Sequence, residues 1–107
     1  MNRANNSPAN ALRGEAEIVV AGAPRLLRPS FAALVAAEQE IGPLFALVER
    51  AGEGQLRLAE LAALFWHCLA DRGGVSRDDV GEAVLAMGLA GCAAPLRLLL
   101  RQILQGR

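Results

Sequence analysis

His67 is the only histidine in the 107 residues, so any acid–base or metal chemistry has to start there. On a helix it shares a strip with Glu60 and Asp71, and Asp71 stands one turn away, within side-chain reach. That set could form a two-ligand metal site or an acid–base pair. Zinc sites use about three or four protein ligands, so the preferred reading is a solvated helix face with one weak pair. Cys68 adjoins His67 but points about 100° away around a helix, and Cys92 has no CxxC partner. Both cysteines lie in apolar patterns and read as small buried hydrophobes. Nothing suggests a disulfide framework. No metal and no other cofactor is expected.

Nucleophiles are equally scarce. Ser7, Ser30 and Ser76 are the only serines, and Thr and Tyr are absent. Ser30 and Ser76 each precede a helical pattern and are better explained as caps. One His and no nucleophile elbow leave no triad. Gly73-Gly74 is not followed by the Lys of a phosphate loop. Read as a calcium loop, the segment from Asp71 to Leu89 would place its first two ligand positions on Cys68 and Ala70, which offer no side-chain oxygen. Read as a helix-turn-helix, it would bring one Arg and three acids (Asp78, Asp79, Glu82) to the phosphates. A small DNA-binding regulator is therefore the least favoured reading, and no residues support an enzyme.

Composition points the same way. Eleven Arg balance eleven acids with no Lys, so there is no general pull toward nucleic acid. No apolar run reaches about 18 residues, so no membrane is expected. Met1 to Asn10 lacks the apolar stretch of a secretory signal, and the expected compartment is a reducing cytoplasm. Hydrophobic residues make up 53% but aromatics only 4%, so the core must be built from Leu, Ala and Val. Ala, Leu and Arg favour helix.

The elements follow from these patterns. Residues 1–10 are Asn-rich, without periodicity, and are expected to be a disordered arm. Residues 11–107 are expected to form one mainly α (α+β) domain. Two short runs around Ala21-Gly22 predict a hairpin over about 14–29. Ser30 starts a first helix with Phe31, Leu34, Val35 and Ile41 inward. Gly42-Pro43 stops it, and a short second helix reaches Arg50 with Leu44, Leu47 and Val48 inward. A third helix runs from about Leu58 to Asp71, with Leu58, Leu61, Ala62, Phe65 and Leu69 on one arc. Ser76 caps a fourth, where Asp78 and Asp79 complement the helix dipole and Val75 meets Val80 as a staple. That helix ends near Gly88. A fifth is expected from about Pro95 to Gln105, with Leu96, Leu99, Leu100, Ile103 and Leu104 inward. The result is a hairpin followed by four to five short helices in a bundle.

Several residues do not fit these core faces. Glu38 falls inside the apolar face of the first helix, where an unpaired carboxylate is costly. Either it reaches an edge or an Arg such as Arg28, or it is a charge meant for a partner. Leu64, Trp66, Leu85, Leu89 and Leu98 lie off or at the margin of the core arcs. Contiguous exposed apolar groups mark interaction surfaces, and Trp is favoured at binding hot spots. Glu38, Leu64, Trp66, Leu85, Leu89 and Leu98 are accordingly the candidate partner-binding residues.

The order of segments resembles the tail-assembly chaperone-like, tail tube-related family of gene transfer agents and phages. The family's Asn-x-x-Arg-Gly-Glu segment matches Asn10-Ala11-Leu12-Arg13-Gly14-Glu15. Its hairpin ending matches Leu27-Arg28-Pro29-Ser30-Phe31, and its first helix ends with a glutamate and a glycine, here Glu38 to Gly42. The segment Ser76-Arg77-Asp78-Asp79-Val80-Gly81-Glu82 and the step Gly88-Leu89 follow in order. Two departures concern the hairpin: Ala21-Gly22 stands where members often have Asp-Gly, and Leu26 or Leu27 replaces a Tyr. The resemblance implies a non-enzymatic role in tail assembly, in the host cytoplasm or in the particle tail. It implies a chaperone that binds the tape-measure protein or tail tube subunits through apolar helix surfaces, with self-association. The alternative it leaves open is a minor tail subunit retained in the particle.

Overall fold

The computed structural model describes residues 9–10 and 14–106. The expected disordered arm falls largely on residues outside those described. Ala16, Ile18 and Val20 alternate with exposed Glu17 and Val19, which is the period of a half-buried strand. They form β1 (Ala16–Val20), paired antiparallel with β2 (Ala23–Leu27) in the register Ala16↔Leu27 to Val20↔Ala23. The connecting pair, Ala21 (φ 53°) and Gly22 (φ 78°), is left-handed at both positions, as a two-residue type I′ turn requires. A hairpin alone is marginal in water, and this one is supported on two sides. The end of the third helix adds a bridge, Leu27↔Leu69, with Ala70 N–H donating to the Leu26 carbonyl at 2.9 Å. The last helix packs on β1.

Four helices follow: α1 (Phe31–Ile41), α2 (Leu44–Gly52), α3 (Leu58–Cys68) and α4 (Arg77–Gln105). Ser30 caps α1, its hydroxyl accepting from Ala33 N–H at 3.1 Å. Gly42, at φ 95°, ends α1, and α2 departs at 77° to it. Ser76 starts α4 with a reciprocal capping box: its hydroxyl accepts from Asp79 N–H at 3.1 Å, and the Asp79 carboxylate accepts from Ser76 N–H at 2.9 Å. Val75 and Val80, the expected staple, are both buried.

Gly88 breaks α4 with φ 75° and ψ 160°, a region open essentially to glycine alone. The expected end near Gly88 is thus the joint between two arms, 77–87 and 89–105. The start expected at Pro95 is corrected: the second arm begins before it and runs through it. Pro95 removes one N–H donor, the one that would meet the Gly91 carbonyl. The surrounding Ala and Leu hold the remaining turns. By length and hydropathy α4 would suffice to cross a membrane, contrary to the expectation from the sequence. The Gly88 break divides it, and Val80, Val84, Cys92 and Leu99 are buried against the rest of the protein.

The core gathers Val20, Leu27, Leu47, Leu64, Phe65, Val80, Val84 and Leu99, all fully buried. Three helix faces differ from their expected arcs, and in the second arm of α4 the difference is Leu104, expected inward and 57% exposed. In α1 the buried positions are Ala33 and Ala37, while Phe31 is 85% exposed and Val35 also faces outward. The small Ala33 and Ala37 let α1 lie against α3, and Phe31, two residues before Ala33, points away from that face. In α3 the buried stripe is Leu61, Leu64, Phe65 and Cys68, and Leu58 is exposed.

Candidate interaction surface

Of the Asn-x-x-Arg-Gly-Glu segment, the described residues Asn10, Gly14 and Glu15 are structural. Gly14, at φ 73°, backs onto the second arm of α4, where an added Cβ would collide with Gln102 and stand 3.2 Å from the Leu98 carbonyl oxygen. Glu15 is buried, and its carboxylate accepts from Arg28 Nε at 2.9 Å and from Asn10 N–H at 3.0 Å. Arg28 therefore serves Glu15. The Arg28 partner considered for Glu38 is not the one used: Glu38 is exposed, and its carboxylate accepts from Leu44 N–H at 3.1 Å, satisfying the first turn of α2.

The polar strip of α3 is similarly tied into the fold, each member to a different partner. Glu60 accepts from Arg50 at 2.6 Å and from Arg57 N–H at 2.9 Å, and the Arg50 guanidinium holds its carboxyl below the usual range. Asp71 accepts from Gly73 N–H at 2.9 Å. His67 Nε2 donates to Glu40 at 2.7 Å, so its partner is Glu40 on α1 and not the expected Asp71. Arg77 forms a two-point contact with the same carboxylate, Nη1 to Oε2 at 3.0 Å and Nη2 to Oε1. The Arg77 contact first, and His67 second, hold the Glu40 carboxyl down at about 2. No group of three or more His, Cys, Asp or Glu able to hold a metal occurs among the described residues. Burial pushes the Cys68 thiol up to about 12, which leaves it a poor nucleophile.

The candidate partner-binding residues separate by exposure. Leu64 is fully buried and belongs to the core, which corrects its place on the list of surface candidates. Trp66 is half-buried, with the guanidiniums of Arg72 and Arg77 centred 4.7 Å and 5.5 Å from its ring. Cation–π contact already occupies it. Leu98 is half-buried against the core. Leu85 and Leu89 are exposed, on either side of the Gly88 break.

Two grooves carry Phe45, Leu104, Leu58 and Leu85 among the exposed apolar groups. One, about 210 Å³, lies between α2 and the end of α4, lined by Leu44, Phe45, Val48, Ile103 and Leu104 with Glu38 at its margin. Phe45 is 80% exposed and Leu104 57%. The other, about 480 Å³, lies between α3 and the first arm of α4; Leu58 and Leu85 form its walls over Ala59, Ala62 and Gly81. Phe31, Phe45, Leu58 and Leu104 were missed as surface residues. Phe45 carried a usable signal, since it fell on no inward face of α2, whereas Phe31 and Leu58 sat squarely on apolar arcs.

A family model described as phage tail tube protein, GTA-gp10, matches residues 13–106. No curated protein and no solved structure matches the chain.

Proposed function

The chain belongs to the phage tail tube protein GTA-gp10 family, and on that premise we propose that it is a tail-assembly protein that works by reversible apolar binding and not by catalysis. Its partners in this reading are the tape-measure protein or tail tube subunits, whose apolar helices it keeps from aggregating until they are built in. The observation that carries the reading is the groove beside α2. Phe45 stands 80% exposed over it, with Leu104 alongside. Exposed aromatic anchors beside an apolar groove are how helix-binding surfaces are built.

The test is co-purification from particle-producing cells with tape-measure and tube subunits. The expected result is capture of one of them by the full chain, and loss of capture with Phe45→Ser at unchanged helix content. Absence of both partners from the wild-type preparation would overturn the reading.

A second reading is a subunit retained in the tail, which the family's description as a tail tube protein favours. Mass spectrometry of purified particles separates the two: an assembly factor is missing from finished particles, and a retained subunit is present.

A further inference from the structure

The groove between α3 and the first arm of α4 has a feature that the α2 groove lacks. Asp78, Glu82 and Leu85 stand at i, i+4 and i+7 along its edge, all exposed. Arg77, the one cation at this rim, is committed to Glu40. Neither Asp78 nor Glu82 has an ion-pair partner among the described residues. The floor of Ala59, Ala62 and Gly81 is shallow enough to admit another helix closely.

The second arm of α4 carries the complementary pattern. Ala90, Ala94, Arg97 and Arg101 recur at i, i+4, i+7 and i+11, and all four are exposed. Arg97 and Arg101 likewise have no ion-pair partner among the described residues. Both charge pairs have the same spacing, one helical turn or about 6 Å along the axis. The formal charge of the whole chain is zero, so like-charge repulsion between copies is minimal.

We propose that the acid-edged α3–α4 groove of one copy receives the Ala90–Ala94–Arg97–Arg101 stripe of a second copy, pairing Asp78 and Glu82 with Arg97 and Arg101. The two surfaces are different patches of the same chain, so the contact is head-to-tail. Such a contact closes into a ring or continues into a filament according to its rotation. Leu58 and Leu85 supply the apolar contact around the alanines, and the four charges set register and direction. The acid-edged groove is separate from the α2 groove, whereas the stripe continues one turn on to Leu104 at the edge of the latter; the test does not require any tail partner.

Sedimentation of the full chain alone provides that test. At low salt and high protein concentration the wild type is expected to grow beyond its 11.3 kDa monomer mass. It is expected to return to monomer in roughly 1 M salt, where screening acts over about 3 Å. Asp78→Arg with Glu82→Arg, or Arg97→Glu with Arg101→Glu, should each give a monomer at all concentrations. Mixing the two double variants, or combining all four changes in one chain, should restore assembly. All four substitutions are at exposed side chains, so the fold is expected to persist in every variant, with Asp78→Arg removing one favourable charge from the helix N-terminus. A wild type that stays monomeric at low salt overturns the proposal. Assembly that survives either double reversal, or that the combined variant fails to restore, overturns it equally.

Discussion

Glu40 and Arg77, 37 residues apart in sequence, meet through both carboxylate oxygens and both terminal guanidinium nitrogens, and His67 donates to the same carboxylate at 2.7 Å. One side chain at the end of α1 thereby fastens the end of α3 and the start of α4. The Glu40 carboxyl is held at about 2, below its ordinary 4.5. A group with a depressed folded pKa stabilises the fold fully above its unfolded value and loses that contribution as pH falls. The window is therefore from about pH 4.5 down to about 2. Glu40 is 39% exposed, so solvent screens the contact. Its worth is about 0.2–1 kcal/mol. Thermal melts across that window should show Glu40→Gln losing less stability on acidification than the wild type. Parallel curves would mean that the contact does not form in solution.

The hairpin turn provides a gain-of-stability test. Ala21 holds φ 53° although an L-residue with a Cβ is disfavoured there by about 1–2 kcal/mol. Asn tolerates this conformation and is favoured in type I′ turns. Ala21→Asn should raise stability by about 0.5–1 kcal/mol in urea, since Ala21 is exposed and makes no core contact that the change would remove. A loss of stability would mean that the turn is not left-handed at both positions.

Punctuation was the legible part of this sequence. Ser30 and Ser76, Gly42-Pro43 and Gly88 act through local backbone chemistry, so their effect can be read without knowing the neighbours. The faces were less legible. Phe31 reads as core by hydrophobicity, yet α1 is buried through Ala33 and Ala37, because helix separation depends on side-chain size as well as polarity. Glu38 looked anomalous on the wheel of α1 because its partner, the Leu44 backbone, belongs to the next helix. His67 pointed to the polar cluster, but Glu40 and Arg77 reach it only through tertiary packing, which no spacing rule encodes. Leu64 and Leu85 both lay outside the expected arcs, and packing sent one inside and the other out.

That divergence can be measured. Leu64 is fully buried, and Leu64→Ala should cost about 2–5 kcal/mol through lost contact and a residual cavity. Leu85 is 62% exposed, and Leu85→Ala should change stability by no more than about 0.5 kcal/mol. Denaturant unfolding of both variants checks the rotation assigned to α3 and α4. Similar costs at the two sites would mean that the buried face has been placed wrongly.

Gly14 and Gly22 separate two reasons for a glycine. Both have left-handed backbones, at φ 73° and φ 78°. An alanine at either position therefore incurs a conformational cost of about 1–2 kcal/mol. At Gly22 nothing lies within 4 Å of the added Cβ, so that cost should be the whole effect. At Gly14 the Cβ would also collide with Gln102 and crowd the Leu98 carbonyl. The hairpin would then have to move off α4, adding about 1–3 kcal/mol of overpacking. Gly14→Ala should consequently be the more damaging by that margin in urea unfolding. Equal losses at the two glycines would mean that β1 does not sit this closely on the second arm of α4, and that Gly14 is present only for its backbone angle.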